Sequence, residues 1–94
     1  MPKVENVERQ IQRIERFRAM FLYEKDRKNV RGDKIVSRGY PCKRALADGK
    51  TVEDWKETRF RAFYPGFEVE VRDGKDRPVQ GNTKLATVRQ SYEE

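Results

Sequence analysis

The chain has no histidine and a single cysteine, Cys42, among its 94 residues. Without histidine it lacks the commonest general base and the commonest transition-metal ligand. One cysteine excludes an internal disulfide framework and a cysteine-rich zinc site. Apolar residues are also scarce, at 35% against 40% charged, which is thin for a chain that must bury a core. No apolar run approaches membrane-spanning length, and the N-terminus carries no signal-peptide core. A cytoplasmic setting away from membranes is therefore expected. No phosphate-binding loop, dinucleotide fingerprint or nucleophile elbow occurs, so the expectation is a non-enzymatic protein without metal or cofactor.

What the chain does have is positive charge, unevenly placed. The net charge is +6; residues 29–50 carry six positives against two negatives, whereas residues 51–72 carry four against five. Lys25, Arg27, Lys28, Arg31, Lys34, Arg38, Lys43 and Arg44 put eight cations into 20 residues, opposed only by Asp26 and Asp33. Clustered cations neutralise phosphates, and Tyr40 among them offers a ring on which a base stacks. The first functional reading is a small basic regulatory protein that contacts DNA or RNA through residues 25–44. Arg31-Gly32-Asp33 spells the integrin-binding tripeptide, but three residues recur by chance and carry no argument.

At this length one small domain is expected. Val4, Val7, Ile11, Ile14, Phe17 and Phe21 are spaced 3-4-3-3-4, which predicts an amphipathic helix from about Lys3 to Asp26, roughly 36 Å at 1.5 Å per residue. Val4, Val7, Ile11 and Ile14 also fit two heptads, which makes them a candidate homodimer interface. Arg18 interrupts the next heptad, so packing of the helix on its own sheet is the favoured alternative. Residues 29–50 read as loop with a short strand near 34–37. Thr51 followed by Asp54 predicts a capping box that opens a short helix near 51–58.

Five of the ten aromatics lie between Trp55 and Phe67. Beyond Thr58 the apolar residues alternate, which predicts a hairpin folded at Pro65-Gly66. Phe60, Ala62 and Tyr64 would then face Phe67, Val69 and Val71 inward, with Arg61 opposite Glu70 on the outer face. Arg59, Arg61 and Phe63 share that outer face. An exposed phenylalanine between arginines is a candidate protein contact. The second reading is thus an interaction module, adaptor or inhibitor, that meets a partner there and dimerises through its first helix. A His-free nuclease working through Arg, Lys and Tyr is the third. Glu53 and Glu57, one helical turn apart, read as a solvated pair. Cys42 reads as a small half-buried hydrophobe.

Asp73 to Pro78 is turn chemistry, and Thr83 to Arg89 is expected to return as a final strand. From Phe67 to Arg89, the Val-x-Val, Asp-Gly, Pro-Val-x-Gly and Thr-x-Leu steps resemble the strand-turn-strand pattern of immunoglobulin-like repeats. That resemblance implies a hairpin and nothing of function. The predicted whole is α+β: a long N-terminal helix on an antiparallel sheet of three to four strands.

Overall fold

The computed structural model describes residues 2–93. Its elements are α1 (Val4–Glu15), β1 (Arg18–Tyr23), a continuous helical segment over residues 52–63, β2 (Phe67–Arg72) and α4 (Leu85–Ser91). The segment 52–63 comprises α2 (Val52–Trp55), a π turn (Lys56–Phe60) and α3 (Arg61–Phe63). This is a small α+β fold around one two-stranded antiparallel sheet.

The predicted N-terminal helix is half as long as its apolar spacing suggested. Arg16 adopts a left-handed conformation (φ 66°), donates its N–H to the Gln12 carbonyl and ends α1. Beyond it the period changes: Phe17, Ala19 and Phe21 are buried while Arg18 is exposed. The spacing of four from Phe17 to Phe21 satisfies a helix and a strand alike; the burial of Ala19 identifies the strand.

β1 finds its partner strand far along the chain. It pairs antiparallel with β2, placing Ala19 opposite Val71, Phe21 opposite Val69 and Tyr23 opposite Phe67. The predicted hairpin of residues 59–72 is therefore absent, because residues 59–63 are helical. Phe60 and Tyr64 do face inward, as i,i+4 neighbours of a helix, and their rings lie 4.9 and 5.1 Å from Phe21. The capping box at Thr51 and Asp54 forms as expected, with bonds of 3.2 and 3.0 Å.

The π turn explains how so many large rings share one helix. In a regular α-helix, five residues overshoot a full turn by about 140°, which would carry Phe60 away from Trp55. Here the Arg61 N–H bonds to the Lys56 carbonyl, an i→i+5 step that inserts one extra residue into the turn. The rings of Trp55 and Phe60 consequently lie 5.9 Å apart, both fully buried.

Strand 83–89 is also overturned: Leu85 and Val88 are buried one turn apart on α4, so the immunoglobulin-like resemblance does not extend to the fold. In place of a third and fourth strand, isolated bridges join Leu22 to Asn29 and Arg72 to Pro78 along the sheet edges.

Those edges expose an internal repeat. In the first half, Lys3 bridges to Ile35, the Val4 N–H bonds to the Lys34 carbonyl (2.8 Å) and the Glu5 N–H to the Gly32 carbonyl (2.9 Å). In the second, Thr51 bridges to Lys84, the Val52 N–H bonds to the Thr83 carbonyl (2.9 Å) and the Glu53 N–H to the Gly81 carbonyl (2.8 Å). Each half is a helix, a strand and a returning loop whose carbonyls satisfy the free N–H groups of its own helix. Both turns after the strands contain Lys-Asp-Arg (25–27 and 75–77) and a left-handed residue, Arg27 at 58° and Asp76 at 62°. The two strands meet antiparallel at the centre, as a pseudo-twofold relation requires.

Candidate functional site

α1 ends on a buried charge. Val4, Val7 and Ile11 occupy its inner face, and the next position in phase is Glu15, which is fully buried. A carboxylate out of water persists only when paired and hydrogen-bonded. Glu15 is both: Oε2 accepts from the Tyr40 hydroxyl and lies 2.5 Å from Arg59 Nη1, while Oε1 accepts from the Leu46 N–H (2.9 Å) and Arg89 Nη2 (3.2 Å). Trp55 Nε1 donates to the Tyr40 oxygen at 2.9 Å. Burial first, and then the hydrogen bond to Glu15, hold the Tyr40 phenol far above its usual pKa.

The same carboxylate thereby fastens both ends of the loop 40–46. Arg59 Nη1 also donates to the Arg44 carbonyl at 2.6 Å, and Arg89 Nη1 to the Leu46 carbonyl at 2.8 Å. Between this loop and the end of α1 lies a groove of about 710 Å³, lined by Arg13, Ile14, Arg16, Tyr40, Pro41, Cys42, Lys43, Arg44 and Ala45. Four of these residues are exposed cations: Arg13, Arg16, Lys43 and Arg44. Among the described residues none of the four has an acidic partner, whereas seven other arginines do. Among the described residues no acidic side chain lines the groove.

The basic segment read from the sequence does not form one surface. Lys25, Arg27 and Lys28 sit on the turn after β1, and Arg31 and Lys34 on the loop that caps the start of α1. Lys43 and Arg44 stand at the opposite end of that helix, about 18 Å away along its axis. Arg31 is 3.5 Å from Asp33. Arg38 lies over the Phe63 ring at 5.3 Å. Tyr40, expected to stack a base, is buried and held by Glu15 and Trp55.

The proposed protein-contact residues are similarly redistributed. Arg59 is consumed by Glu15, and Arg61 pairs with Glu53, Glu57 and Glu68 rather than facing Glu70. Glu53 and Glu57 are thus counterions. Phe63 is half-buried, edge-on to Tyr40 at 6.2 Å. It walls a second, mainly apolar cavity of about 330 Å³ with Cys42, Leu46, Lys50, Asp54, Thr58 and Arg59. Val4, Val7 and Ile11 are covered within the chain, which removes them as a dimer surface; Ile14 is half-buried in the basic groove.

Arg13 and Arg16 escaped the sequence reading because they belong to a helix that looked twice as long. Their spacing of three at the true helix end is the signal that would have found them. Among the described residues no group of three or more His, Cys, Asp or Glu side chains is placed to hold a metal ion. No helix of the described residues is long and apolar enough to cross a membrane. Comparison with protein families, curated proteins and solved structures finds no match to this chain.

Proposed function

We propose that this is a small basic binding protein that engages nucleic-acid phosphates in the groove between the end of α1 and loop 40–46. The supporting observation is the convergence of Arg13, Arg16, Lys43 and Arg44 on one groove, all exposed and none neutralised among the described residues. A cation already paired gains little from a phosphate, whereas a solvated one releases the counterions of the nucleic acid on contact. The loop is prefixed by Glu15, Arg59 and Arg89, so binding orders little further backbone.

Fluorescence anisotropy with labelled DNA and RNA oligonucleotides tests this. Four phosphate contacts give a slope of log K against log salt of about −3 on single strands. Lys43→Glu with Arg44→Glu is expected to abolish binding at moderate salt, while Lys25→Glu with Lys28→Glu, at the other end of α1, leaves most of it. Absence of binding at low salt, or equal loss in the two double variants, would overturn the assignment to this groove.

A further inference from the structure

The basic groove and the apolar cavity adjoin at Cys42, which lines both, and Arg59 joins them through its bond to the Arg44 carbonyl. The two compartments differ in chemistry. The groove is cationic, whereas the cavity is mainly apolar, walled by Cys42, Leu46, Thr58 and Phe63 with Lys50, Arg59 and the acid Asp54. The capping bond from the Thr51 N–H, and then its side chain, hold the Asp54 carboxyl below its usual pKa, so it stays ionised at neutral pH. A phosphate entering this cavity would meet a mainly apolar wall and the Asp54 carboxylate, with Arg59 already committed to Glu15. The neutral, flat part of a nucleotide meets a half-buried aromatic ring and a hydrogen-bond acceptor. At about 330 Å³ the cavity lies at the small end of ligand pockets.

On this basis, and resting on the phosphate-binding reading above, we propose that the ligand is single-stranded nucleic acid, with one unstacked base seated against Phe63 while its phosphates follow the groove. A duplex keeps its bases stacked and cannot fill the cavity without unpairing. Aromatic contact with a base is tolerant of sequence, and the acceptor on Asp54 favours bases with an exocyclic amino group over thymine and uracil.

The experiment compares a mixed-sequence single strand, as DNA and as RNA, with the matching duplex by anisotropy at one salt concentration. The wild type is expected to prefer either single strand by about tenfold. Phe63→Ala should reduce single-strand affinity about tenfold and leave duplex affinity within about twofold. Because Phe63 contacts the core, Thr58→Met is the second variant. It fills the cavity from an exposed helical position and should have the same selective effect, with circular dichroism confirming the fold of both. Equal affinity for single strand and duplex, with Lys43→Glu weakening both, would overturn the base pocket and leave the phosphate groove standing. Failure to bind either form removes both.

Discussion

Glu15 and Arg59 meet at 2.5 Å across 44 residues of sequence, and the carboxylate is entirely out of water. Arg89 reaches the same carboxylate from α4, and the Leu46 N–H and Tyr40 hydroxyl complete its acceptor capacity. One side chain therefore ties together α1, the helical segment 52–63, α4 and the loop that carries half of the candidate groove. A buried ion pair adds little over a well-packed apolar pair, but removing one partner leaves the others charged and unsatisfied.

Glu15→Gln tests that asymmetry. It keeps the volume but leaves Arg59 without a carboxylate, while Arg89 keeps Asp48 at 2.5 Å, and the expected loss is about 3–5 kcal/mol in urea denaturation. Amide exchange at Leu46 should accelerate more than exchange in β1. A loss below about 1 kcal/mol would show that the cluster is spectator rather than fastener.

Tyr64 presents the opposite case. Its hydroxyl is buried without a hydrogen-bond partner among the described residues. Tyr64→Phe removes the unsatisfied group and keeps the ring against Phe21 and Phe60, so stability is expected to rise by about 1 kcal/mol. A lower thermal midpoint for the variant would contradict this.

Burial also pushes the Tyr64 phenol up to about 12 from an ordinary value near 10. The folded state then holds a proton that the unfolded chain releases first. The resulting contribution is complete below pH 10 and is lost as pH rises from there to 12, with Tyr40 shifted in the same direction. Denaturation midpoints should fall across that window, and the fall should be shallower in Tyr64→Phe. Identical slopes in the two proteins would count against the assignment.

Gly74 lets the turn after β2 lie against the end of α4, where its N–H donates to Ser91 Oγ at 2.8 Å. A Cβ there would overlap the Ser91 carbonyl and approach the Tyr92 Cα to 2.9 Å. Gly74→Ala should therefore destabilise by about 1–3 kcal/mol. It should also loosen Tyr92, whose hydroxyl bridges the Arg18 N–H and the Arg72 carbonyl at the sheet end. Near-neutral behaviour in thermal melts would rule out the close approach.

Ile11→Asp separates the two roles read for the N-terminal stripe. On a dimer surface the change would yield a folded monomer. With Ile11 fully buried inside its own chain, it places an unpaired charge in the core, and loss of the cooperative fold is expected by circular dichroism.

The amphipathic start of α1, the capping box at Thr51 and the turn at Asp73 were legible because each is encoded within a few residues. The stripe lost its meaning at Phe17, where spacing of four serves both periods. The aromatic run after Thr58 failed because the π turn shifts the helical phase by one residue and leaves an alternation that mimics a strand. The internal repeat was also written in the chain: Val4-Glu5 with Gly32 answers Val52-Glu53 with Gly81, and Lys34 stands where the second half has Thr83. The long helix predicted for one half and the hairpin predicted for the other hid their common construction. At the candidate site, Lys43 and Arg44 came from charge density, while Arg13 and Arg16 required knowing where the helix stops.

By itself the sequence determined local matters: a basic first half, an apolar face on the first helix, a cap, a turn, and aromatics that point inward. These depend on neighbours within one or two turns of chain. Only the tertiary structure decided that β1 pairs with β2, that Glu15 collects Arg59 and Arg89, and that four cations from two separate segments face one groove. Pairing register and charge neutralisation are set by contacts between residues tens of positions apart. Burial selects those contacts, because a strand edge or a carboxylate removed from water must find its partner wherever the fold supplies one.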